Sequence, residues 1–312
     1  MRTKKSWFTY PTMIRGMFVC LLMLLTSATV WAAIPNEKKS TASSKGWSVR
    51  WQPEQLVNGS PVFFQVKATA PLKSLSGKWL EHDIVFSLDT KSKIWNALAG
   101  IGFEIKSGSY PLTLNGIGPN QGENVFSKRV VIRAAKYRTI AIAVESKYTE
   151  PNKEQLEVIN HDKQIKQEVF SHQSALREWI GSFRSPLGAP FSDTFGTQRT
   201  FNGQVRSVHQ GLDFAAHTGD QIFAVNAGTV ILARPLYFEG NCVVLDHGQG
   251  LLTLYLHMSE IKVKEGDKVT RGQEIGLVGG TGRATGPHLH FAVRWQGTYL
   301  DPATLLQLQL PN

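Results

Sequence analysis

The segment GPHLHF, residues 286–291, carries His288 and His290 with a single residue between them. The apolar and aromatic residues around this pair favour a β-strand. Because alternate side chains of a strand share one face, His288 and His290 are predicted to point the same way. Two imidazoles on one rigid strand suit metal binding or proton transfer. Taken alone, the pattern is equally compatible with two histidines that line a polar sheet face.

His209 and Asp213, four residues apart, precede an apolar run. Gly211 between them favours a loop that enters a strand rather than a helix. A neutral imidazole with a carboxylate is a suitable ligand pair for Zn²⁺, and it leaves positions for another histidine and a water. By itself, the pair does not distinguish a metal site from packing.

His257 ends the alternating run LYLH and is predicted to share a strand face with Tyr255. In isolation it is interpreted as a structural histidine at a strand end. Several metal-competent side chains at strand ends need a common partner, because buried polar groups without partners are costly. Together they favour a zinc site with three protein ligands and an open position for water. The five candidates are His209, Asp213, His257, His288 and His290.

A glycine-rich region, residues 186–305, contains all of these candidates and must position them. Frequent glycines between apolar runs are typical of tight turns in a compact β-domain. The predicted strands are Gly228–Ala233, Asn241–Asp246, Leu251–His257 and His288–Trp295.

Residues 47–144 show short strand-like runs separated by turn signals, which predict a small antiparallel β-sandwich of immunoglobulin-like type. Trp79 and Trp95 are interpreted as core residues. The predicted strands are Val62–Val66, Asp83–Leu88, Gly102–Ile105, Tyr110–Leu114 and Arg129–Arg133. The turn signals include Asn58-Gly59, Ser76-Gly77 and Asn115-Gly116.

Residues 145–185 are rich in Lys, Glu and Gln, with apolar residues mostly at helical spacing. This pattern predicts one or two amphipathic helices that link the two β-regions. Residues 306–312 are interpreted as a C-terminal tail. We find no catalytic constellation in the N-terminal region, and the whole chain is therefore predicted to be mostly β with its chemistry at the C-terminal end.

A basic segment followed by the apolar run Gly16–Val30 predicts a signal peptide over residues 1–32, with cleavage after Ala32. An uncleaved membrane anchor is the alternative. After cleavage we expect no membrane span, a flexible segment 33–46, and an exported protein whose one remaining cysteine, Cys242, cannot form an intrachain disulfide.

The formal charge is +10, and loss of the four basic residues of the signal peptide would lower it to +6. A basic exported protein suits an anionic partner such as the cell wall or a membrane surface, although solubility explains the same charge. No basic and aromatic motif for nucleic acid is present, so we expect no nucleic-acid partner.

Several motifs in residues 186–305 occur in a characteristic order. They are FGTQR at 195–199, HQGLD at 209–213, AGTV at 227–230, DHG at 246–248, YLH at 255–257, GDKV at 266–269 and TGRATGPHLH at 281–290. With these motifs the region closely resembles the lysostaphin/LytM-like zinc metallopeptidases of peptidase family M23. The N-terminal β-region and helical segment are similar to those of multidomain cell-wall members from Gram-negative bacteria.

The resemblance implies roles for the five candidates. His209, Asp213 and His290 would bind one Zn²⁺ per chain, whereas His257 and His288 would flank the water and the scissile carbonyl. The fold implied is an antiparallel β-sheet groove, similar to a duplicated hybrid motif. The substrate implied is the peptide stem of peptidoglycan, cut by zinc-activated water in the periplasm, or outside the cell as an alternative.

Other polar residues are assigned with less support from the motifs. Arg199, Asn202 and Arg206 precede His209 and are candidates for substrate contact, as is Tyr255; solvated loop charge is the alternative for the first three. His217 and His247 are interpreted as structural.

Two other functions remain open from the sequence. A LytM-like domain that has lost activity binds and activates another cell-wall hydrolase, but such domains lack some of the five positions that this chain retains. A secreted protease acting on Gly-rich peptides is the second. The N-terminal region and the helical segment are also long enough to cover the groove, which would inhibit the enzyme within its own chain.

Overall fold

The computed structural model describes residues 47–141, 151–171, 174–201 and 204–312, and for 201 and 204–206 it describes the backbone alone. The predicted signal peptide, the segment 33–46 and Asn202 lie outside the described residues. Among the residues described, no helix combines the length and the apolar character needed to cross a membrane.

Short strands fill the N-terminal part of the described chain, and most run antiparallel to their neighbours. The strands are β1 (Trp47–Gln52), β2 (Leu56–Val57), β3 (Pro61–Ala68), β4 (Ser74–Trp79), β5 (His82–Val85), β6 (Ser87–Asp89), β7 (Ile94–Gly100), β8 (Gly108–Ile117), β9 (Glu123–Arg133) and β10 (Thr139–Ala141). One sheet has the order β1-β3-β7-β6 and a second has the order β2-β9-β8-β4-β5. The predicted β character is confirmed, and the immunoglobulin-like type stays a prediction.

The side chains between these two sheets form an apolar core. Phe63 and Phe64 are fully buried, and Trp79 is buried with its indole N–H donated to the carbonyl of Gly100 at 3.0 Å. Trp95 is also buried. The interpretation of both tryptophans as core residues is confirmed.

Two details of the N-terminal prediction are wrong. Residues 102–105 form a turn rather than a strand, and the neighbouring strand is β7. Gly77 and Gly116 lie inside paired strands rather than in turns. They are needed for close approach, because a Cβ at Gly77 would lie 2.9 Å from the carbonyl oxygen of Thr113 and one at Gly116 would lie 2.7 Å from the Trp47 ring.

The C-terminal part adds two helices and further strands. They are α1 (Lys153–Ser171), β11 (Phe191–Asp193), β12 (Gln198–Phe201), β13 (Gln204–Val208), β14 (Leu212–Ala215), β15 (Gln221–Phe223), β16 (Gly228–Leu236), β17 (Gly240–Asp246), β18 (Leu251–Met258), β19 (Glu260–Ile261), β20 (Lys268–Val269), β21 (Glu274–Leu277), β22 (His288–Trp295), β23 (Thr298–Leu300) and α2 (Pro302–Gln307). Four of these strands correspond to the four predicted from the sequence, and β22 has the predicted bounds.

An antiparallel sheet with the order β11-β14-β22-β18-β17-β16-β20 dominates this part, and β23 pairs with β22. One face carries Phe214, Tyr255, Leu289 and Phe291 into the main core. The other face carries a second apolar cluster, formed by Leu232, Leu236, Cys242, Val244, Leu252, Leu254 and Ala292. Helix α1 packs on this second cluster, and Cys242 is buried within it as expected.

The predicted helical segment 145–185 is helical only in part. Helix α1 ends at Ser171, and no helix is present in 174–185. There Trp179 and Phe183 are buried in the main core, whereas Leu176 and Ile180 are exposed. These apolar residues alternate between core and solvent along a segment that forms neither helix nor strand, so the apparent helical spacing in 174–185 was misleading.

The N-terminal sheets and the C-terminal sheet share one continuous core. A Cβ at Gly100 would lie 2.7 Å from the Leu300 side chain and 3.0 Å from the Trp295 ring, so the two parts are tightly packed there. Strand β10 runs parallel to β12, pairing Ile140 with Arg199. Beyond α2, Leu308 and Leu310 are buried, so the segment interpreted as a tail packs against the protein. The domain boundaries themselves stay a prediction.

Candidate metal and catalytic site

The three adjacent strands β14, β22 and β18 bring the candidate residues together. Asp213 on β14 lies opposite His290 on β22, and His290 lies opposite Leu256 on β18. Leu289, between the two histidines of β22, is buried in the main core, so His288 and His290 point to the opposite face. In the structure, His288 and His290 therefore share one face of β22, as the sequence predicted.

His257 reaches the same face through a β-bulge. Strand β17 pairs Asn241 with Met258 and Val243 with Tyr255, so the register shifts at this point. His257 has a φ of 65°, in the left-handed region that side chains other than glycine rarely adopt. Regular alternation would have turned His257 toward the core together with Tyr255; the bulge turns it into the cleft instead.

Three ligand atoms form a compact cluster. Nε2 of His209 lies 3.1 Å from Oδ1 of Asp213 and 3.1 Å from Nδ1 of His290, and that Nδ1 lies 2.8 Å from the same Oδ1. Tetrahedral zinc with bonds of about 2.0–2.1 Å holds its ligand atoms roughly 3.3 Å apart. The spacing of the cluster is therefore close to that of a zinc site.

The hydrogen bond at the far side of His209 supports the same interpretation. Its Nδ1 lies 2.9 Å from the carbonyl oxygen of Thr194, which can only accept, so Nδ1 carries the proton. In a neutral His209, Nε2 is then an acceptor that faces another acceptor on Asp213. A cation between them would satisfy both, and a two-histidine, one-carboxylate set is a known zinc ligand type.

Burial and charge keep these groups in the forms that a metal requires. Burial would raise the pKa of the Asp213 carboxyl, but its contacts with His209 and His290 hold that pKa well below its usual range. Burial lowers the pKa of His290, and the nearby Asp213 opposes this only in part. An ionised carboxylate beside a neutral imidazole is the state that binds a metal ion.

Asp193 is a contact of the site that the sequence did not reveal. Its Oδ2 lies 3.4 Å from Nδ1 of His209 and accepts a hydrogen bond from Arg199 at 3.0 Å, and its Oδ1 accepts one from Thr197 at 2.8 Å. Burial would raise the pKa of Asp193, but the bonds from Arg199 and Thr197 lower it overall. Asp193 stands two residues before the motif FGTQR, and no spacing marks it out.

His257 and His288 lie on the open side of the cluster, with ring centroids 4.8 Å apart. Nδ1 of His257 donates to the carbonyl of Thr281 at 2.8 Å, and Nδ1 of His288 donates to that of Gly286 at 2.8 Å. In the neutral form of each ring, the acceptor nitrogen is therefore Nε2. Burial lowers the pKa of His257 to about 4, and the neighbouring His288 and His290 add to this against the bond to Thr281, so His257 is neutral at pH 7.

Two further residues that the sequence singled out, Tyr255 and His247, have buried side chains with hydrogen-bond partners of their own. Tyr255 is fully buried and its hydroxyl accepts from the backbone N–H of Val225 at 3.1 Å, so the prediction that it shares a face with His257 is wrong. Arg206 is described by its backbone alone, in β13. His247 is buried and hydrogen-bonded to Ala227 and Thr253, as a structural histidine would be.

A cleft of about 720 Å³ contains the site. Its floor includes Leu232, Val244, Leu254 and Ala292 of the apolar sheet face. Lys166 and Phe170 of α1 and Ile140 of β10 contribute to its walls. The polar end thus combines a metal-competent cluster with two proton-accepting imidazoles, the groups needed for hydrolysis with an activated water.

Comparisons with known proteins agree with this geometry. Residues 207–302 match peptidase family M23. The chain is 44% identical over 103 residues to the peptidoglycan DD-endopeptidase ShyA of Vibrio cholerae. The aligned region covers 33% of this chain and 23% of ShyA. It is 39% identical over 98 residues to the DD-carboxypeptidase/endopeptidase Mpg of Neisseria meningitidis, covering 31% of this chain and 23% of Mpg.

The similarity to a solved structure is more extensive. A crystal structure assigned to peptidase M23 from Pseudomonas aeruginosa superposes with a TM-score of 0.61 at 27% identity, covering 81% of this chain and 95% of that one. By contrast, this chain spans 23% of the length of both ShyA and Mpg.

Proposed function

We propose that the chain, whose residues 207–302 match peptidase family M23, is an exported zinc metalloendopeptidase that hydrolyses peptide cross-links of peptidoglycan. The observation that carries this proposal is the clustering of His209, Asp213 and His290 within 2.8–3.1 Å, with His257 and His288 beside it in one cleft. A domain that only binds would not require all five groups.

In this mechanism His209 would bind the metal through Nε2, Asp213 through a carboxylate oxygen and His290 through Nδ1. Zinc, when bound, supplies the Lewis acidity that makes a water nucleophilic near neutral pH and polarises the scissile carbonyl. The carbonyl of Thr194, which accepts from His209 Nδ1, fixes the tautomer that leaves Nε2 free to ligate.

His257 and His288 handle the protons. In their neutral forms both rings have their acceptor at Nε2, because each Nδ1–H is donated to a backbone carbonyl. Burial keeps the His257 ring neutral at pH 7, so its Nε2 is available to accept a proton from the attacking water. Once protonated, an imidazole donates to the developing oxyanion or to the leaving amine.

The substrate class is supported by the cleft and by the relatives. The similar relatives ShyA and Mpg carry the names peptidoglycan DD-endopeptidase and DD-carboxypeptidase/endopeptidase. A cleft of about 720 Å³ with an apolar floor and a polar end suits a peptide. The apolar run Gly16–Val30, preceded by basic residues, supports export to the periplasm, where such a substrate is found.

Inhibition within the chain is part of the proposal. Helix α1 supplies Lys166 and Phe170 to the cleft wall, and Lys166 forms an ion pair at 2.6 Å with Glu239, which lies between β16 and β17. Ile140 of β10 narrows the cleft from the N-terminal region. A long cross-linked substrate would therefore have to displace α1 in order to lie along the whole sheet face.

The test uses the zinc-loaded mature protein and isolated sacculi. We expect release of soluble muropeptides, loss of that release with a chelator, and its return on addition of zinc. Mass spectrometry of the products identifies the bond that is cut. Zinc binding without any peptide release from sacculi or from cross-linked muropeptides would contradict the proposed function.

A further inference from the structure

The cleft contains three cationic side chains among its described lining residues, namely Lys166, Arg199 and Arg283. Lys166 pairs with Glu239 at 2.6 Å, and Arg199 pairs with Asp193 at 3.0 Å. Arg283 makes no ion pair with any described residue. The acids of the lining, Asp213 and Glu239, are already engaged with the histidine cluster and with Lys166. Arg283 is thus the one of these three cationic side chains that has no acidic partner among the described residues.

The Arg283 side chain is held in place by an aromatic ring. Its guanidinium carbon lies 4.6 Å from the centroid of the Phe238 ring. Stacking on a ring orients the guanidinium plane while its N–H donors remain at the edge, available to a ligand. The backbone N–H of Arg283 also donates to the carbonyl of Phe238 at 2.8 Å, so both parts of the residue are tied to the β16–β17 turn.

The loop that carries Arg283 is packed too closely to move freely. A Cβ at Gly240 would lie 2.3 Å from Oγ1 of Thr281, and one at Gly282 would lie 2.3 Å from the backbone nitrogen of Gly240. Both glycines have positive φ, 62° and 71°, so substitution there is strained as well as crowded. Arg283 is therefore presented on a rigid support.

The same loop orients both candidate catalytic histidines. The carbonyl of Thr281 accepts from His257, and that of Gly286 accepts from His288, each at 2.8 Å. Arg283 lies between these two residues in the chain, and it lines the cleft together with His257 and His288. The backbone of Arg283 is thus held by the same loop as the groups that would act on the scissile bond, and its exposed side chain stacks on Phe238.

We propose that Arg283 is a specificity-determining residue that binds a carboxylate group of the peptide substrate next to the scissile bond. This inference rests on the proposed function, and it adds the chemical class of the substrate. Carboxylates are the anionic groups that a peptide offers, either as a side chain or as a terminal α-carboxylate. The planar guanidinium binds such a group with two parallel hydrogen bonds.

The experiment compares three versions of one cross-linked peptide on the zinc-loaded full chain. The first has its carboxylates free, the second has its side-chain carboxylates amidated, and the third has its terminal α-carboxylates amidated. Wild-type protein is expected to cleave the free form with a kcat/KM about tenfold above one of the amidated forms. The carboxylate whose amidation lowers kcat/KM is the one that Arg283 binds.

Arg283→Gln is expected to lower kcat/KM about tenfold for the free peptide, chiefly through KM, and to leave the less preferred amidated peptide unchanged. Arg283→Lys should recover part of the preference for the free peptide, because lysine keeps the positive charge but lacks the paired N–H donors of the planar guanidinium. Arg234→Gln is the matched control, since Arg234 pairs with Glu265 on an exposed surface and is absent from the cleft lining. Zinc content and thermal unfolding midpoints establish that the variants are folded.

Binding separates this inference from the proposed function. An analogue with a reduced amide at the cross-link binds without being cut, and calorimetry measures its affinity in the free and amidated forms. Equal affinities and equal cleavage of the three peptides, or an equal loss for all of them in Arg283→Gln, would overturn the role of Arg283. Cleavage of no peptide, with a binding preference that disappears in Arg283→Gln, would overturn the proposed function and support the Arg283 assignment.

Discussion

His257 and His288 face each other with ring centroids 4.8 Å apart, and each donates its Nδ1–H to a carbonyl of the same loop, at Thr281 and Gly286. One short loop therefore fixes the tautomer of both rings and directs both Nε2 atoms toward the cleft. The connection of β21 to β22 does not by itself require hydrogen bonds to both histidines, so these bonds indicate that the loop also positions the two rings.

The first prediction separates these histidines from the metal ligands. His257→Ala and His288→Ala should each lower the cleavage rate of cross-linked peptides by about 10²–10⁴, the range for general acid–base groups. Because neither ring belongs to the three-residue cluster, zinc content measured by elemental analysis should stay near one ion per chain. Loss of zinc together with activity in either variant would mean that the ligand set has been assigned wrongly.

The second prediction concerns the ligands themselves. His290→Ala removes one of three ligand atoms and leaves Asp213 buried with less compensation, so zinc binding and peptide release should both be lost. His217→Ala is the control, because the His217 side chain is 98% exposed. Full zinc content in His290→Ala, measured after dialysis against a weak chelator, would contradict the assignment.

The third prediction is that a substitution at Gly211 displaces the His290 side chain while His290 itself is retained. A Cβ on Gly211 would lie 2.5 Å from Nε2 of His290 and 2.7 Å from the carbonyl of Phe291. Gly211→Ala should therefore displace the His290 ring and lower zinc affinity at least about tenfold, as loss of a positioning contact does. Gly188→Ala, where a Cβ meets nothing within 4 Å, is the matched control. Equal zinc affinity of the two variants would show that the ring tolerates the extra methyl group.

The sequence predicted the strand that holds the pair of histidines because alternation is a local property. In β22 every second residue, such as Leu289, is apolar and buried, and the bounds of the strand follow from that pattern. His257 shows the limit of the same rule. Alternation placed it beside Tyr255, but a bulge at the register shift in β17–β18 turns it the other way. A bulge depends on pairing with a distant strand, and one chain segment alone does not encode it.

Long-range packing explains the other differences. Gly77 and Gly116 resemble turn residues in sequence, yet each makes room for a neighbour that is distant in the chain. Trp179 and Leu176 are spaced as on one helix face, but Trp179 is buried and Leu176 is exposed in a segment that forms no helix. Asp193 reaches His209 only because β11 pairs with β14, which no local spacing reveals.

The fourth prediction concerns the docking of α1 against the cleft. Lys166→Glu places two acids in contact at Glu239 and should loosen the helix, so cleavage of cross-linked substrate should rise about threefold to tenfold, equivalent to roughly 1 kcal/mol. The exchange Lys166→Glu with Glu239→Lys should return the rate toward that of the wild type. Lys163→Glu makes the same charge change on an exposed position of the helix and should have little effect. A lower rate in Lys166→Glu would indicate that Lys166 contacts substrate instead.

The last prediction is a pH dependence of stability that arises at His247. This ring is fully buried and hydrogen-bonded to the carbonyl of Ala227 and the hydroxyl of Thr253. Burial lowers the pKa of His247 from 6.5 to about 4, although the bond to Ala227 opposes the shift. Between these two values the unfolded chain takes up a proton that the folded chain does not. Folding is therefore unaffected by this group above pH 6.5 and progressively destabilised as the pH falls toward 4, by a limit of about 3 kcal/mol.

Denaturant titrations of wild type and His247→Gln at pH 7.5, 6, 5 and 4.5 measure this effect as a difference between the two proteins. His247→Gln should be the less stable protein at pH 7.5, because a glutamine does not make both hydrogen bonds. Its free energy of unfolding should then fall less steeply with decreasing pH, and the two curves should converge. Other titrating groups, including the histidines of the metal cluster, act equally in both proteins and cancel. Parallel curves would mean that the folded protein accepts a proton on His247 as readily as the unfolded chain does.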